Sequence, residues 1–187
     1  MIFLRYESFR QYVRMYPVTT VLLAVNLLLF VLALFDPLGD YLLAYGGLIH
    51  GTPYHLELWR YLTSMFLHHG FIHLLFNCFA IFVFAPPLEY LLGRGRYTFL
   101  YLGSGVIGNL ISMIVNNSSY ILSVGASGAI YGIYGAYLYL ILFRRQALDP
   151  SSRKTVAVIV IMGIVYSFLI PAVNWAAHFG GLIGGML

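Results

Sequence analysis

Charged side chains are scarce in this sequence. Asp, Glu, Lys and Arg make up 9% of its 187 residues, whereas 61% are hydrophobic and the mean hydropathy is +0.87. Because a soluble domain carries roughly a quarter of its residues as charged side chains, this composition excludes a soluble globular protein. The whole length is interpreted as membrane domain.

Cysteine is also nearly absent. The single Cys78 excludes an internal disulfide framework, and its apolar surroundings predict a packed thiol. The formal net charge of +4 does not indicate a nucleic-acid partner, because the basic residues lie in connecting segments, where membrane topology accounts for them. The expected surroundings are a lipid bilayer.

Apolar runs predict an all-α, polytopic bundle of six transmembrane helices. The expected spans are Pro17–Phe35, Phe71–Tyr90, Tyr97–Val115, Gly125–Phe143, Thr155–Ile170 and Asn174–Leu187. Pro86 and Pro87 are expected to end the second span, and Pro171 the fifth. The sixth is shorter than the roughly 20 residues that cross a bilayer. Either this helix continues beyond the sequence given, or its end is frayed and shallow.

Two segments lie outside these spans. Residues 1–16 are aromatic and basic, which is typical of an interfacial segment on the cytoplasmic face. Residues 36–66 combine Trp59 with scattered charges and glycines, and they predict an interfacial loop between helices 1 and 2. Residues 17–187 are expected to form a single membrane domain.

The distribution of basic residues predicts the orientation. Of ten Lys and Arg residues, three precede the first span, two separate the second and third, and four separate the fourth and fifth. Positive residues favour the cytoplasmic side, so both termini are expected in the cytoplasm. Spans two, four and six then begin at the outer face.

Polar side chains recur in the first turns of these three spans. They are His73 and Asn77, then Ser127, then His178. Because polar groups inside a membrane usually face a bundle interior or a wet cavity, a shared depth predicts one shared cavity, open to the outer side. The small residues around Ser127 also fit a plain helix-packing patch.

A serine becomes a nucleophile when a base takes its proton, and histidine is the usual base. We expect His178 to do so for Ser127, with Gly128, Gly181 and Gly185 allowing their helices to approach closely. No carboxylate is placed to complete a triad. The prediction is a Ser–His dyad, with the Tyr131 ring packed on His178.

Three groups are candidate donors to the oxyanion that forms when a peptide bond is attacked. One is the backbone N–H of Ser127 at the start of its helix. The others are the side chains of His73 and Asn77, which the i,i+4 spacing places on one helix face.

Other polar residues are interpreted as structural. Trp59 is expected at the interface, Arg60 on loop carbonyls, and Glu89 in an ion pair with Arg94 or Arg96. His69 and His73 have a spacing seen in zinc sites, but a following Glu and a third ligand are missing. We therefore expect no metal and no cofactor.

Together these residues resemble the rhomboid family of intramembrane serine proteases. The resemblance covers about residues 55–187 and rests on motifs in family order: Trp59-Arg60, His68–Asn77, Glu89–Gly93, Gly125–Gly128 with Tyr131, and Ala177-His178 followed by Gly181 and Gly185. Ala85 stands where the family often has glycine.

The resemblance implies a six-helix enzyme that cleaves transmembrane-helix substrates, with Ser127 as nucleophile and His178 as base. It also implies an oxyanion role for His73 and Asn77 and a stacking role for Tyr131. A bacterial plasma membrane is the expected location. Two alternatives stay open: a pseudoprotease that holds client helices without cutting, and a small transporter, although no inverted repeat is evident.

Overall fold

The chain folds into a helical bundle with one short antiparallel strand pair. The computed structural model describes residues 2–51, 53–116, 120–170 and 173–187. The helices and strands are α1 (Phe9–Met15), α2 (Pro17–Leu32), α3 (Leu38–Gly46), β1 (Leu48–Ile49), α4 (Arg60–Thr63), α5 (Phe71–Leu92), α6 (Arg94–Val115), β2 (Leu122–Ser123), α7 (Ser127–Phe143), α8 (Pro150–Leu169) and α9 (Trp175–Met186). Short 3-10 turns cover Tyr54–Leu56, Ser64–Phe66 and Arg145–Ala147.

The first two helices meet at a sharp bend of 109°. Ser8 begins α1 with a capping box closed by Gln11, and Pro17 begins α2 at the position where its missing N–H costs nothing. Because α1 turns away from α2, the N-terminal segment crosses the end of the bundle instead of extending the first apolar helix.

Helix α5 runs through Pro86 and Pro87, which were expected to mark its end, and it ends two residues beyond the predicted Tyr90. It continues through Pro86 and Pro87 to Leu92 and stops at Gly93, whose φ is +76°. A proline lacks the N–H that would bond the carbonyl four residues earlier, which for Pro86 is that of Phe82. The Tyr12 hydroxyl donates to this carbonyl at 3.2 Å and satisfies it from outside the helix.

Helix α8 begins at Pro150, five residues before the predicted start. Asp149 caps it, accepting from the Ser152 N–H at 3.0 Å, and Pro150 fits the first turn. The helix ends at Leu169; Pro171, which was expected to end it, lies outside the described residues.

Among the described residues, three helices, α5, α6 and α8, are long and apolar enough to cross a membrane, and α1 with α2 makes a fourth if the bent pair is one span. The apolar α7 has 17 residues and α9 has 12. Since about 20 residues cross the hydrocarbon core, the count of six spans stays a prediction.

A strand pair, which the sequence did not predict, connects the first loop to the segment before α7. Leu48 pairs with Ser123 and Ile49 with Leu122. Beside it, the fully buried His50 donates from Nδ1 to the Ile121 carbonyl at 2.8 Å, and its Nε2 lies 2.7 Å from Ser112 Oγ on α6. The loop is thereby fixed to the bundle.

The centre of the bundle is the three-helix contact of α6, α7 and α9. A Cβ on Gly181 would lie 1.9 Å from the Gly128 carbonyl oxygen, and one on Gly185 would lie 1.9 Å from that of Gly132. Two glycines on one face of α9 therefore allow it to pack against the backbone of α7. At Gly128 itself a Cβ would meet ordinary contacts, the nearest at 3.6 Å, whereas a Cβ on Gly135 of α7 would lie 2.1 Å from the Leu182 carbonyl oxygen, so both helices need glycine along this contact.

Candidate active site

Helix α7 begins at Ser127, two residues after a glycine that the local backbone requires. Gly125 has a φ of +131°, a region that side chains rarely adopt, and a Cβ there would lie 2.6 Å from the His73 ring. The Gly125 N–H donates to the Ser64 carbonyl at 2.9 Å. These contacts fix the approach to Ser127 between the first loop and α5.

Ser127 and His178 are in hydrogen-bond contact. The Nε2 of His178 lies 2.8 Å from the Oγ of Ser127, so the first turns of α7 and α9 bring the two side chains together. The imidazole is 6% exposed, whereas Ser127 is half-buried. This arrangement leaves the hydroxyl accessible while burying the group that would take its proton.

Asn174 fixes the start of α9, four residues before the histidine. Its side-chain oxygen accepts from the Ala177 N–H at 3.1 Å, and its amide donates to Ser112 Oγ at 2.6 Å and to Ser123 Oγ at 2.9 Å. One side chain thus caps the helix and attaches it to α6 and β2.

Tyr131 lies flat against the imidazole. The rings of Tyr131 and His178 are 4.1 Å apart between centroids and inclined by 15°, which is a stacked arrangement. The predicted packing of this ring on the histidine is the geometry observed. The stack blocks rotation of the imidazole away from Ser127.

Ser167 on α8 also belongs to the site, although its position in the sequence did not predict this. Its Oγ lies 2.7 Å from His178 Nδ1 and 3.0 Å from the Tyr131 hydroxyl. The side chain is 2% exposed. The only signal in the sequence is a lone hydroxyl near the end of an apolar run, and such a residue is usually taken up by its own helix backbone.

The two side chains proposed for the oxyanion lie on the same helix but differ in what they contact. The His73 ring packs against Gly125, two residues before Ser127. Asn77 is buried, and its amide donates to the His73 carbonyl at 2.9 Å. In this structure the Asn77 amide is therefore engaged with α5 itself.

A family model described as the rhomboid domain matches residues 55–187, which include all of these groups. The chain belongs to the rhomboid family. The sequence resemblance is therefore confirmed, and relatives named as rhomboid proteases, together with the apolar helices, confirm the serine-protease class of the enzyme and its multi-pass membrane character.

Individual rhomboid relatives agree with this assignment. The chain is 38% identical to the rhomboid-type protein YdcA of Bacillus subtilis, over 99% of this chain and 93% of that protein. It is 35% identical to the rhomboid protease GluP of the same organism, over 77% of this chain and 28% of GluP. It is 29% identical to the rhomboid-type serine protease 2 of Emericella nidulans, over 75% of this chain and 28% of that protein.

In this rhomboid chain Arg60 joins three parts of the first loop. Its Nη1 donates to the carbonyls of Ala44 and Gly47, each at 2.7 Å, and its Nε bonds Glu57. The neighbouring Trp59 donates to the Tyr45 carbonyl at 3.0 Å. Arg60 is 3% exposed, so a buried guanidinium organises the loop between α2 and α5.

Glu89 is structural, but the expected ion pair with Arg94 or Arg96 was wrong. Its carboxylate accepts from the Val18 N–H at 2.9 Å, the Thr19 N–H at 2.8 Å and the Thr19 hydroxyl at 2.7 Å. The first N–H groups of a helix have no partner within it. Glu89 on α5 therefore caps the start of α2, where the helix dipole also favours a negative charge.

The remaining histidines near the site are separate from the pair. His69 is exposed. His68 is buried, and its ring lies edge-on to that of His73, with 5.1 Å between the ring centroids. Within the described ranges, no three His, Cys, Asp or Glu side chains form a group that could hold a metal ion.

Proposed function

We propose that this chain is an intramembrane serine endopeptidase that cleaves peptide bonds in or near transmembrane segments of other membrane proteins. The observation that carries the proposal is the 2.8 Å contact between Ser127 Oγ and His178 Nε2. A nucleophile in hydrogen-bond reach of a base, with the base held by a third group, is the signature of covalent catalysis by serine.

In the proposed reaction, His178 Nε2 takes the Ser127 proton as Oγ attacks the substrate carbonyl. The resulting imidazolium returns that proton to the leaving amine, and the substrate's acyl group stays on Ser127 as an ester. A water molecule then loses its proton to His178 and attacks the ester. Collapse of this second intermediate releases the carboxyl product and restores the serine hydroxyl.

Each attack creates an oxyanion, and three donors are proposed to receive it. The Ser127 N–H lies at the first turn of α7, where backbone donors have no partner within the helix. His73 and Asn77 supply the side-chain donors. The His73 carbonyl takes one of the two N–H groups of the Asn77 amide, so the second N–H is the proposed donor to the oxyanion. One such donor is typically worth about 3 kcal/mol.

The proposed topology places residues 1–16 and both ends of the chain on the cytoplasmic side of a bacterial plasma membrane. Residues 17–187 then form one six-span domain. Nine of ten basic residues support this orientation. Since α7 has 17 residues and rises about 1.5 Å per residue, Ser127 would lie just below the outer boundary of the hydrocarbon, within reach of water.

Substrates are proposed to be single transmembrane helices that enter the bundle from the side. A peptide bond inside a helix is shielded by its own hydrogen bonds, so the end of the substrate helix must unwind to reach Ser127. Ser127, His178 and the oxyanion donors, with water as co-substrate, supply every group that the proposed reaction needs.

Loss of activity in Ser127→Ala and His178→Ala tests the proposal directly. Each variant is reconstituted with a transmembrane substrate, beside Thr98→Ala and His69→Ala, which remove an exposed hydroxyl and an exposed imidazole. Cleavage is expected only with the wild type and the two controls. Cleavage that persists in both site variants would refute the dyad, and binding without cleavage by the wild type would favour a pseudoprotease.

A further inference from the structure

Three hydrogen-bonding groups meet at the Ser167 hydroxyl. The Gly163 carbonyl oxygen lies 2.7 Å from Oγ, His178 Nδ1 lies at 2.7 Å, and the Tyr131 hydroxyl lies at 3.0 Å. Ser167 is 2% exposed, so water does not compete for these contacts. A serine hydroxyl has one proton to give and two lone pairs that accept.

Only one placement of protons makes all three contacts hydrogen bonds. The Gly163 carbonyl can only accept, so Ser167 must give it the one proton. The other two contacts are then donations to Ser167, from the Tyr131 hydroxyl and from an N–H at Nδ1 of His178. With its proton on Nδ1, neutral His178 has a free lone pair on Nε2, the nitrogen that faces Ser127.

We propose that Ser167 is the positioning residue that sets the tautomer of the base. Because Ser167 donates its proton to the Gly163 carbonyl, its oxygen can only accept from His178, and this keeps the imidazole proton on Nδ1. This inference rests on the proposed function, because the tautomer matters only if His178 is the base. Ser167 then fills the place that a carboxylate occupies in a Ser-His-Asp triad.

Gly163 serves this arrangement in a second way. A Cβ at Gly163 would lie 2.6 Å from the Tyr131 hydroxyl oxygen, so only a glycine leaves room for the tyrosine beside α8. The Tyr131 ring in turn stacks on His178. One turn of α8, from Gly163 to Ser167, therefore orients the base both through its Nδ1 and through its ring face.

A hydroxyl accepts a weaker hydrogen bond from the imidazole than a carboxylate does, because the hydroxyl is neutral and cannot offset the charge of the imidazolium. Loss of the proper tautomer in a triad that lacks its carboxylate lowers kcat about 10⁴-fold. For Ser167→Ala we expect a smaller fall, up to about 100-fold in kcat, the cost of a misplacement of about 1 Å at a reacting group. KM should stay unchanged, since Ser167 is not placed to touch substrate.

Kinetics on matched variants form the first arm of the test. Ser167→Ala removes the hydroxyl, whereas Ser167→Thr keeps one that can also bond a carbonyl four residues earlier. Thr155→Ala is the control, because Thr155 makes the same kind of bond to Ser151 near the other end of α8. We expect kcat to fall in Ser167→Ala, to recover substantially in Ser167→Thr and to stay at the wild-type level in Thr155→Ala.

The second arm measures the tautomer itself and needs no turnover. Nitrogen-15 NMR of histidine-labelled protein in nanodiscs, with the His178 signal identified by its loss in His178→Gln, shows which ring nitrogen carries the proton. In the wild-type protein, neutral His178 should carry its proton on Nδ1. In Ser167→Ala, a larger fraction of His178 should carry the proton on Nε2.

A wild-type His178 with its proton on Nε2 would overturn the proposal, even if Ser167→Ala does not fold. So would an unchanged kcat in Ser167→Ala, or an equal fall in Thr155→Ala. Cleavage that survives Ser127→Ala and His178→Ala would instead refute the proposed function, and the NMR arm would still report the tautomer. The two failures are therefore distinguishable.

Discussion

A Cβ on Gly181 would lie 1.9 Å from the carbonyl oxygen of Gly128, which places the backbones of α9 and α7 in direct contact. Gly128 follows Ser127, and Gly181 lies one turn beyond His178. The contact between the two side chains, 2.8 Å long, therefore depends on a backbone approach that only a residue without a side chain permits. This relation connects helix packing to the chemistry proposed for the site.

Gly181→Ala should separate the two helices and reduce activity. Overpacking of this kind typically costs about 1–3 kcal/mol, and a displacement of about 1 Å at a reacting group can lower a rate by about 10²-fold. We expect cleavage to fall by more than about tenfold, measured on a reconstituted substrate, with a lower Tm.

Gly103→Ala on α6 is the matched control for that substitution. Nothing lies within 4 Å of a Cβ at this position, and alanine in a helix is about 0.5–1 kcal/mol more favourable than glycine. Wild-type cleavage and an equal or higher Tm are expected. Equal activity in Gly181→Ala and Gly103→Ala would show that close backbone contact is not what brings the pair together.

Asn77→Ala should lower kcat while leaving substrate affinity nearly unchanged. The amide is proposed to meet the oxyanion only as it forms, and loss of one such donor costs about 10²–10³-fold in rate. His73→Ala should behave similarly, with His69→Ala as the exposed control on the same segment. A KM effect with unchanged kcat in Asn77→Ala would assign this residue to substrate binding.

Glu89→Gln should destabilise the fold by about 2–3 kcal/mol, because hydrogen bonds to a charged group and a favourable helix dipole are both weakened. The control is Asp40→Asn, which changes an exposed acidic residue in the first turn of α3 and should cost less than about 1 kcal/mol. Thermal unfolding in detergent measures both. Similar Tm values for the two variants would contradict the capping role of Glu89.

His68 should make stability fall on acidification. Burial, and next the charge that His73 can carry, lower the pKa of His68 from 6.5 to about 4. The folded state therefore resists a proton that the unfolded state binds below pH 6.5. Stability is intact above that pH and is lost progressively toward pH 4, by about 3 kcal/mol in all.

His68→Gln should flatten this pH dependence of Tm, and His69→Gln, at an exposed position, should not. The comparison is made between pH 7 and pH 4 in the same detergent. An equally steep loss of Tm in His68→Gln and in the wild type would place the acid sensitivity elsewhere in the chain.

The helices could be predicted from the sequence because apolar runs are local patterns. Ser127 and His178 are 51 residues apart, and their pairing was predicted from the shared depth of their helix starts and from the resemblance to rhomboid proteases. Apolar runs have the length of helices, and glycines beside a lone serine and a lone histidine indicate close approach. The contact between these two side chains is present in the structure, while their catalytic roles stay proposals.

Other contacts join side chains on different helices, and the spacing of residues along the sequence does not predict which helices face each other. Ser167 is 11 residues from His178 and on another helix, so nothing in its neighbourhood indicated a partner. Glu89 was assigned to the arginines that follow it in the chain, but it contacts the start of α2. Pro86 was expected to end a helix that continues past it, and the Phe82 carbonyl that Pro86 leaves free accepts from the Tyr12 hydroxyl.

The most direct test of the proposed Ser127–His178 dyad is to label the protein in nanodiscs with a fluorophosphonate probe and to map the labelled residue by mass spectrometry. We expect a single covalent adduct on Ser127 that disappears in Ser127→Ala and falls strongly in His178→Ala. An adduct on another residue, or undiminished labelling of Ser127 when His178 is absent, would contradict it.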